Sequence, residues 1–170
     1  MIVEEVKRSN QHFELNGEEL AYLESLRKKY KDKYSLTLPA LWLVQKRENW
    51  VSAEAMLYLE KTLEIPVMHF YETASFFTMF DLAPRGKYYI KFCKTLSCNL
   101  RGVKDLIKHT EKRLGIKMGE TTADGLITLG ETECLGYCNE APSLLNNLDQ
   151  HKNLDEEKID EILLSLGAKL

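Results

Sequence analysis

The sequence predicts an α+β chain: a helical N-terminal region over residues 1–84, then a small α/β domain over residues 85–170. Three observations carry this. Apolar residues recur at three- and four-residue spacing as far as Phe80. Pro84-Arg85-Gly86 then breaks the chain. From Lys87 to Cys93 the pattern changes to alternation with aromatic and β-branched residues, as in a strand.

The elements follow in order. Asn16 with Glu19 three residues on has the form of a helix start, and Leu20, Leu23, Leu26 and Tyr30 follow on one face. A second helix starts near Leu38-Pro39, because proline suits a first turn, and Leu38, Leu41, Trp42 and Gln45 share its face. Ser52 caps a third helix carrying Met56, Leu59 and Leu63. Pro66 opens a fourth, with Val67, Phe70, Tyr71, Ala74 and Phe77 on one side. Beyond the strand at 87–93, residues 101–114 form a helix with Val103, Leu106, Ile107, Thr110 and Leu114 inward, stopped by Gly115. Asp124-Gly125 marks a turn between strands at Thr121–Ala123 and from Leu126. Ser143–Leu148 reads as one further strand. Asp155 caps a last helix that buries Ile159, Ile162, Leu163 and Leu166. The second half is therefore β-α-β-β-α.

Composition narrows the function. With 44% apolar and 29% charged residues in 170, the chain has the balance of a globular protein. A net charge of −3 leaves no basic excess for neutralising phosphates, which argues against a general nucleic-acid binder. No apolar run is long enough to insert in a bilayer. The N-terminus has neither a secretory core nor transit-peptide bias. A cytoplasmic chain, reaching any membrane only through partners, is expected.

Four cysteines in such a chain point to metal or redox chemistry rather than disulfides. They form two pairs, Cys93-x4-Cys98 and Cys134-x3-Cys138. Cys93 ends a predicted strand and Cys98 precedes a predicted helix. Cys134 and Cys138 occupy the loop after the strand that starts at Leu126. Both pairs thus leave one small sheet, where two loops can converge. Four thiolates suit a 2Fe–2S cluster, two to each iron, and Gly102 and Gly136 allow a backbone that bends around it. The site would be doubly negative, and triply negative once reduced, so amide dipoles and hydrogen bonds must offset the charge. Three other readings stay open on the residues alone. Structural zinc is one, although zinc sites favour C-x2-C knuckles. A dithiol oxidoreductase is another, although C-x-x-C is absent. The third is four unrelated buried cysteines. His12, His69, His109 and His151 lie away from the cysteines and read as surface or packing residues.

Lys91-Phe-Cys93-Lys-Thr-Leu-Ser-Cys98-Asn-Leu-Arg-Gly102 and Glu133-Cys134-Leu-Gly-Tyr-Cys138-Asn-Glu-Ala-Pro142 resemble the two cluster-binding segments of a known family. Its members are thioredoxin-like 2Fe–2S ferredoxin subunits, the E subunits of respiratory NADH:quinone oxidoreductase (complex I). The resemblance runs over about residues 35–166, through Ile65-Pro66, Phe76-Phe77, Gly86-Lys87-Tyr88 and the stretch from Gly119 to Gly125. It implies a thioredoxin-like second domain and one 2Fe–2S cluster held by Cys93, Cys98, Cys134 and Cys138. It also implies a partner flavoprotein that carries FMN and binds NADH, with other peripheral-arm subunits around it. The chain would then pass electrons without a complete active site of its own, at a cytoplasmic position peripheral to the inner membrane. Similar subunits of NAD-linked hydrogenases and formate dehydrogenases are the alternative machines. Phe76, Phe77 and Phe80 are candidates for contact with the flavoprotein or for internal packing. After Pro142 the chain departs from the family pattern, running Ser143-Leu-Leu-Asn-Asn-Leu148 where the family has β-branched or Met residues leading to Val-Asn-Asp.

Overall fold

The structure, a computed structural model, describes residues 13–168, so His12 lies outside it. The chain divides between Pro84 and Arg85 into two compact units.

The first unit is helical: α1 (Gly17–Arg27), a 3-10 turn (Lys33–Leu36), α2 (Thr37–Glu48), α3 (Ala53–Leu63) and α4 (Val67–Phe76). Side chains set the starts. At α1 the Asn16 side chain accepts from the Glu19 amide, and the Glu19 carboxylate accepts from the Asn16 amide, a reciprocal cap. Ser52 Oγ accepts from the Ala55 amide. Pro66 has no side-chain acceptor to offer α4, and the Glu60 carboxylate accepts from the Val67 amide instead. Asn49 and Glu64 end α2 and α3 in the left-handed region.

The core of this unit gathers Leu23, Leu41, Val44, Leu59, Ile65 and Phe70. Several expected faces are rotated. Leu20, Tyr30, Leu38 and Tyr71 are exposed. On α2 the buried stripe is Thr37, Ala40, Leu41, Val44 and Gln45 rather than one through Leu38 and Trp42. Gln45 tolerates burial because its amide is satisfied: Nε2 donates to the Met79 carbonyl and the Asp81 carboxylate, and Oε1 accepts from the Asp81 amide. Phe80 is buried edge-to-face against Trp42, and Phe77 is half-buried, whereas Phe76 is 78% exposed. Internal packing therefore accounts for Phe80, and a role in surface contact is left to Phe76.

The second unit comprises β1 (Tyr88–Cys93), α5 (Leu96–Leu100), α6 (Val103–Leu114), β2 (Ile127–Thr132), a 3-10 turn (Cys138–Glu140), β3 (Ser143–Asn146), β4 (Asp149–Lys152) and α7 (Glu156–Ser165). The sheet order is β2-β1-β3-β4. β1 and β2 are parallel, with Ile90 opposite Leu129, and the crossover between them holds α5 and α6. β3 runs antiparallel to both neighbours. Ile90, Phe92, Ile127, Leu129 and Leu144 from the sheet join Val103 and Leu106 of α6 and Ile159 and Leu163 of α7 in one core.

Four expectations need correction. Cys98 lies within the short helix α5, not in an open loop. The helix expected from residue 101 starts at Val103, because Gly102 takes a left-handed conformation before it. Thr121–Ala123 is no strand and contributes a single bridge, Thr121 to Thr128. The segment 143–148 is a strand and a turn: Asn147 adopts a positive φ, a conformation asparagine tolerates, and the chain doubles back as β4. Asn147 Oδ1 accepts from the Tyr89 amide and from Arg85, which fixes that turn against β1.

An ionic cluster joins α6 to α7. Asp160 accepts from Arg113 at 2.9 Å and faces His109 Nε2 at 2.9 Å, while His109 Nδ1 lies 3.5 Å from Glu156. His109 foremost, with Arg113, holds the Asp160 carboxyl below its ordinary range. A depressed folded-state value means the stabilisation is present above the unfolded carboxylate value of about 3.9 and is lost as pH falls through the lower, folded one. Asp160→Asn is expected to flatten the acid limb of a stability–pH curve measured by urea unfolding. Superimposable acid limbs for the two chains would show that the cluster contributes nothing.

Candidate metal centre

The two cysteine pairs sit at one end of the sheet, placed by the parallel pairing of β1 and β2. Cys93 is the last residue of β1 and lies in register with Thr132, the last of β2. Each strand then releases its chain on the same edge, β1 into α5 with Cys98, β2 into the loop with Cys134 and Cys138. All four thiols are free of disulfides. Cys93 and Cys98 are buried, whereas Cys134 and Cys138 are exposed.

The loops are tied together around the sulfurs. Cys134 Sγ and Cys138 Sγ are 3.4 Å apart, and the Gly136 amide donates to Cys134 Sγ at 3.4 Å. Gly136 has a φ of +84°, and a Cβ built there would meet nothing within 4 Å. The backbone conformation, rather than crowding by protein atoms, is what asks for glycine. Thr95 Oγ1 lies 3.2 Å from Cys93 Sγ and also reaches Cys134, so one hydroxyl stands between the pairs. The Leu135 backbone, from the second loop, lies near enough to Cys93 of the first to lower its thiol. Ser143 Oγ, at the start of β3, lies 3.7 Å from Cys98 Sγ, and the Ser143 amide points to the same sulfur.

These contacts divide the thiols by electrostatics. Burial pushes Cys93 up, but the Thr95 hydroxyl and amide, the Cys98 thiol and the Leu135 amide outweigh it and hold the group below its usual range. At Cys134 the Gly136 amide, then Cys138 and Thr95, lower the thiol. Burial dominates at Cys98 and raises it, against the opposing pull of the Ser143 hydroxyl and amide. One thiol in each pair, Cys93 and Cys134, is thus held below its usual range.

Among the described residues no three His, Cys, Asp or Glu side chains form a cage for a single ion. The chemistry of the donor set, four thiols in two pairs on neighbouring loops at one end of the sheet, fits a 2Fe–2S cluster. Sequence reasoning singled out the cysteines and Gly136, whereas Gly102 serves the start of α6, and it missed Thr95 and Ser143. Thr95, two residues after a ligand candidate, carries a local turn signal. Ser143 carries none, since it reaches a sulfur 45 positions away.

His69 stacks edge-on against Tyr34, His109 belongs to the α6–α7 ion cluster, and His151 lies on β4.

The sequence profile of the thioredoxin-like [2Fe-2S] ferredoxins matches residues 23–167. The chain is similar to the E subunit of NADH-quinone oxidoreductase from Rickettsia typhi, at 41% identity over 160 residues, covering 92% of this chain and 94% of the relative. It is also similar to the second E subunit of the same enzyme from Rhizobium meliloti, at 36% over 146 residues, covering 86% and 87%. Among solved structures it resembles part of an NAD+-reducing [NiFe]-hydrogenase in the air-oxidized state, with TM-score 0.67 and 27% identity. That match covers 75% of this chain but only 22% of the larger one. With the profile spanning both cysteine pairs and relatives matched nearly end to end, the chain belongs to the thioredoxin-like [2Fe-2S] ferredoxin family.

Proposed function

We propose that this chain is the electron-carrier E subunit of an NADH-quinone oxidoreductase, holding its one 2Fe–2S cluster through Cys93, Cys98, Cys134 and Cys138. The observation that carries the reading is two thiol pairs leaving the same end of the parallel strands β1 and β2, with the Thr95 hydroxyl beside Cys93 and the Gly136 amide donating to Cys134. When bound, the cluster supplies a one-electron couple. The chain's own residues do the rest. The amides of Thr95, Leu135 and Gly136 offset the negative charge of the sulfurs, and the apolar core around Cys93 and Cys98 keeps water from the inner pair.

The electron donor is a separate flavoprotein that carries FMN and binds NADH, with further peripheral-arm subunits around the pair. The 78%-exposed Phe76 on the helical unit is a candidate contact with the flavoprotein. Among the described residues no helix is long and apolar enough to cross a membrane. A cytoplasmic position, peripheral to the inner membrane through the assembled complex, follows from the proposed assembly. The equivalent subunit of an NAD-linked hydrogenase is the second reading, supported by the fold match at 27% identity. The first reading has the stronger support, a 41% match over 94% of a relative.

Anaerobically prepared chain is expected to show broad visible absorption that bleaches with dithionite, with two irons and two acid-labile sulfides per chain. A colourless chain carrying one zinc would overturn the proposal. Co-purification with a flavin-containing subunit and quinone reductase activity, rather than with a hydrogenase, would separate the two machines.

A further inference from the structure

We propose that the side-chain hydroxyls of Ser143 and Thr95 set the reduction potential of this centre, by donating hydrogen bonds to Cys98 and Cys93; this rests on the cluster reading above. The sulfurs carry most of the charge that an added electron brings, so each donor aimed at a sulfur favours the reduced state.

The geometry separates these hydroxyls from ordinary packing. Ser143 is 2% exposed, and its Oγ lies 3.7 Å from Cys98 Sγ. In a free thiol either atom could donate. Once the sulfur is a metal-bound thiolate it has no proton, and only the hydroxyl can be the donor. Cys98 lies in the buried pair, where burial already works against negative charge. A hydrogen bond in such a poorly solvated place is worth more than on the surface. The Ser143 backbone amide also acts on Cys98, lowering its thiol against burial. Removal of the hydroxyl leaves the amide, which isolates the side chain's share. Thr95 is the counterpart on the other side: its Oγ1 lies 3.2 Å from Cys93 Sγ, and it also lowers the Cys134 thiol. The two hydroxyls come from different elements, the loop after β1 and the first residue of β3.

The measurement is an anaerobic redox titration of the isolated iron-loaded chain, followed by EPR of the reduced cluster, for the original chain, Ser143→Ala, Ser143→Thr and Thr95→Ala. Alanine at either position is expected to lower the reduced-to-oxidised ratio at a fixed potential by roughly three- to tenfold; tenfold is about 59 mV for a one-electron couple. Ser143→Thr keeps a hydroxyl and is expected to titrate with the original chain, which a simple loss of packing would not produce. Full iron with unmoved midpoints in both alanine variants overturns the hydroxyl assignment and leaves the cluster reading standing. An original chain that takes up no iron overturns both. Should Ser143→Ala lose its iron, Thr95→Ala decides the matter by the same midpoint criterion.

Discussion

Cys134→Ser is expected to leave the chain with little or no iron. A serine hydroxyl is a harder donor than a thiol and far less acidic, so it must give up a proton to bind a soft iron–sulfide unit at neutral pH. The protein helps the native residue in a way serine inherits poorly. The Gly136 amide and the Thr95 hydroxyl are arranged to support a thiolate at position 134, whose pKa they lower together with Cys138. Cys98→Ser is expected to do as much damage by another route. Position 98 is 2% exposed, and an unligated serine there would be a polar group in an apolar core, with Ser143 its nearest hydrogen-bonding neighbour. Iron and sulfide analysis with EPR of the reduced protein checks both. Full iron and an unchanged signal in either variant would falsify the four-cysteine ligand set.

The largest effect on stability is expected at Phe92. Its ring is fully buried in β1, which lies between β2 and β3, where Phe92 is in register with Glu131 and Leu144. Phe92→Ala removes a whole ring from the middle of the sheet core and leaves a cavity that the hydrogen-bonded strands cannot close. The expected cost is about 3–5 kcal/mol, the usual range for such truncations. Urea unfolding of the metal-free chain, followed by circular dichroism, reads this as a lower midpoint. A loss below about 1 kcal/mol would mean that the site repacks and that the sheet is softer than its burial implies.

Much of this was legible in the chain itself, for reasons that can be named residue by residue. Ser52, Pro66, Gly115 and Asp155 act within three or four residues, so the local pattern carries their meaning. The β1 alternation was readable because this strand is packed by aromatic and branched side chains. Helix α5 was not, since five residues contain too little periodicity. β4, Asp149-Gln-His-Lys152, has no apolar alternation at all: it is mostly exposed and exists through its ladder with β3. The Asn147-Leu148 turn lacks the glycine that usually marks a hairpin. In the helical unit, spacing identified the inward stripe of α3 (Met56, Leu59, Leu63) and most of that of α4, but it also placed Leu20, Tyr30 and Leu38 inward, which are apolar and yet point outward. At the centre itself the four cysteines were evident from their clustering. The hydroxyls beside them were not, because Ser143 acquires its partner only when β3 docks alongside β1.

That the inner two thiols are folded into the hydrophobic interior has a consequence for the life of the protein in the cell. On the proposed ligand set, metal would bind the native state far more tightly than the unfolded chain, and occupancy would then shift the folding equilibrium by mass action. Newly made chains short of iron would be held by the sheet's packing alone, would open more often, and would be the ones that proteases remove. Abundance of this polypeptide would thereby track iron supply without any dedicated regulator.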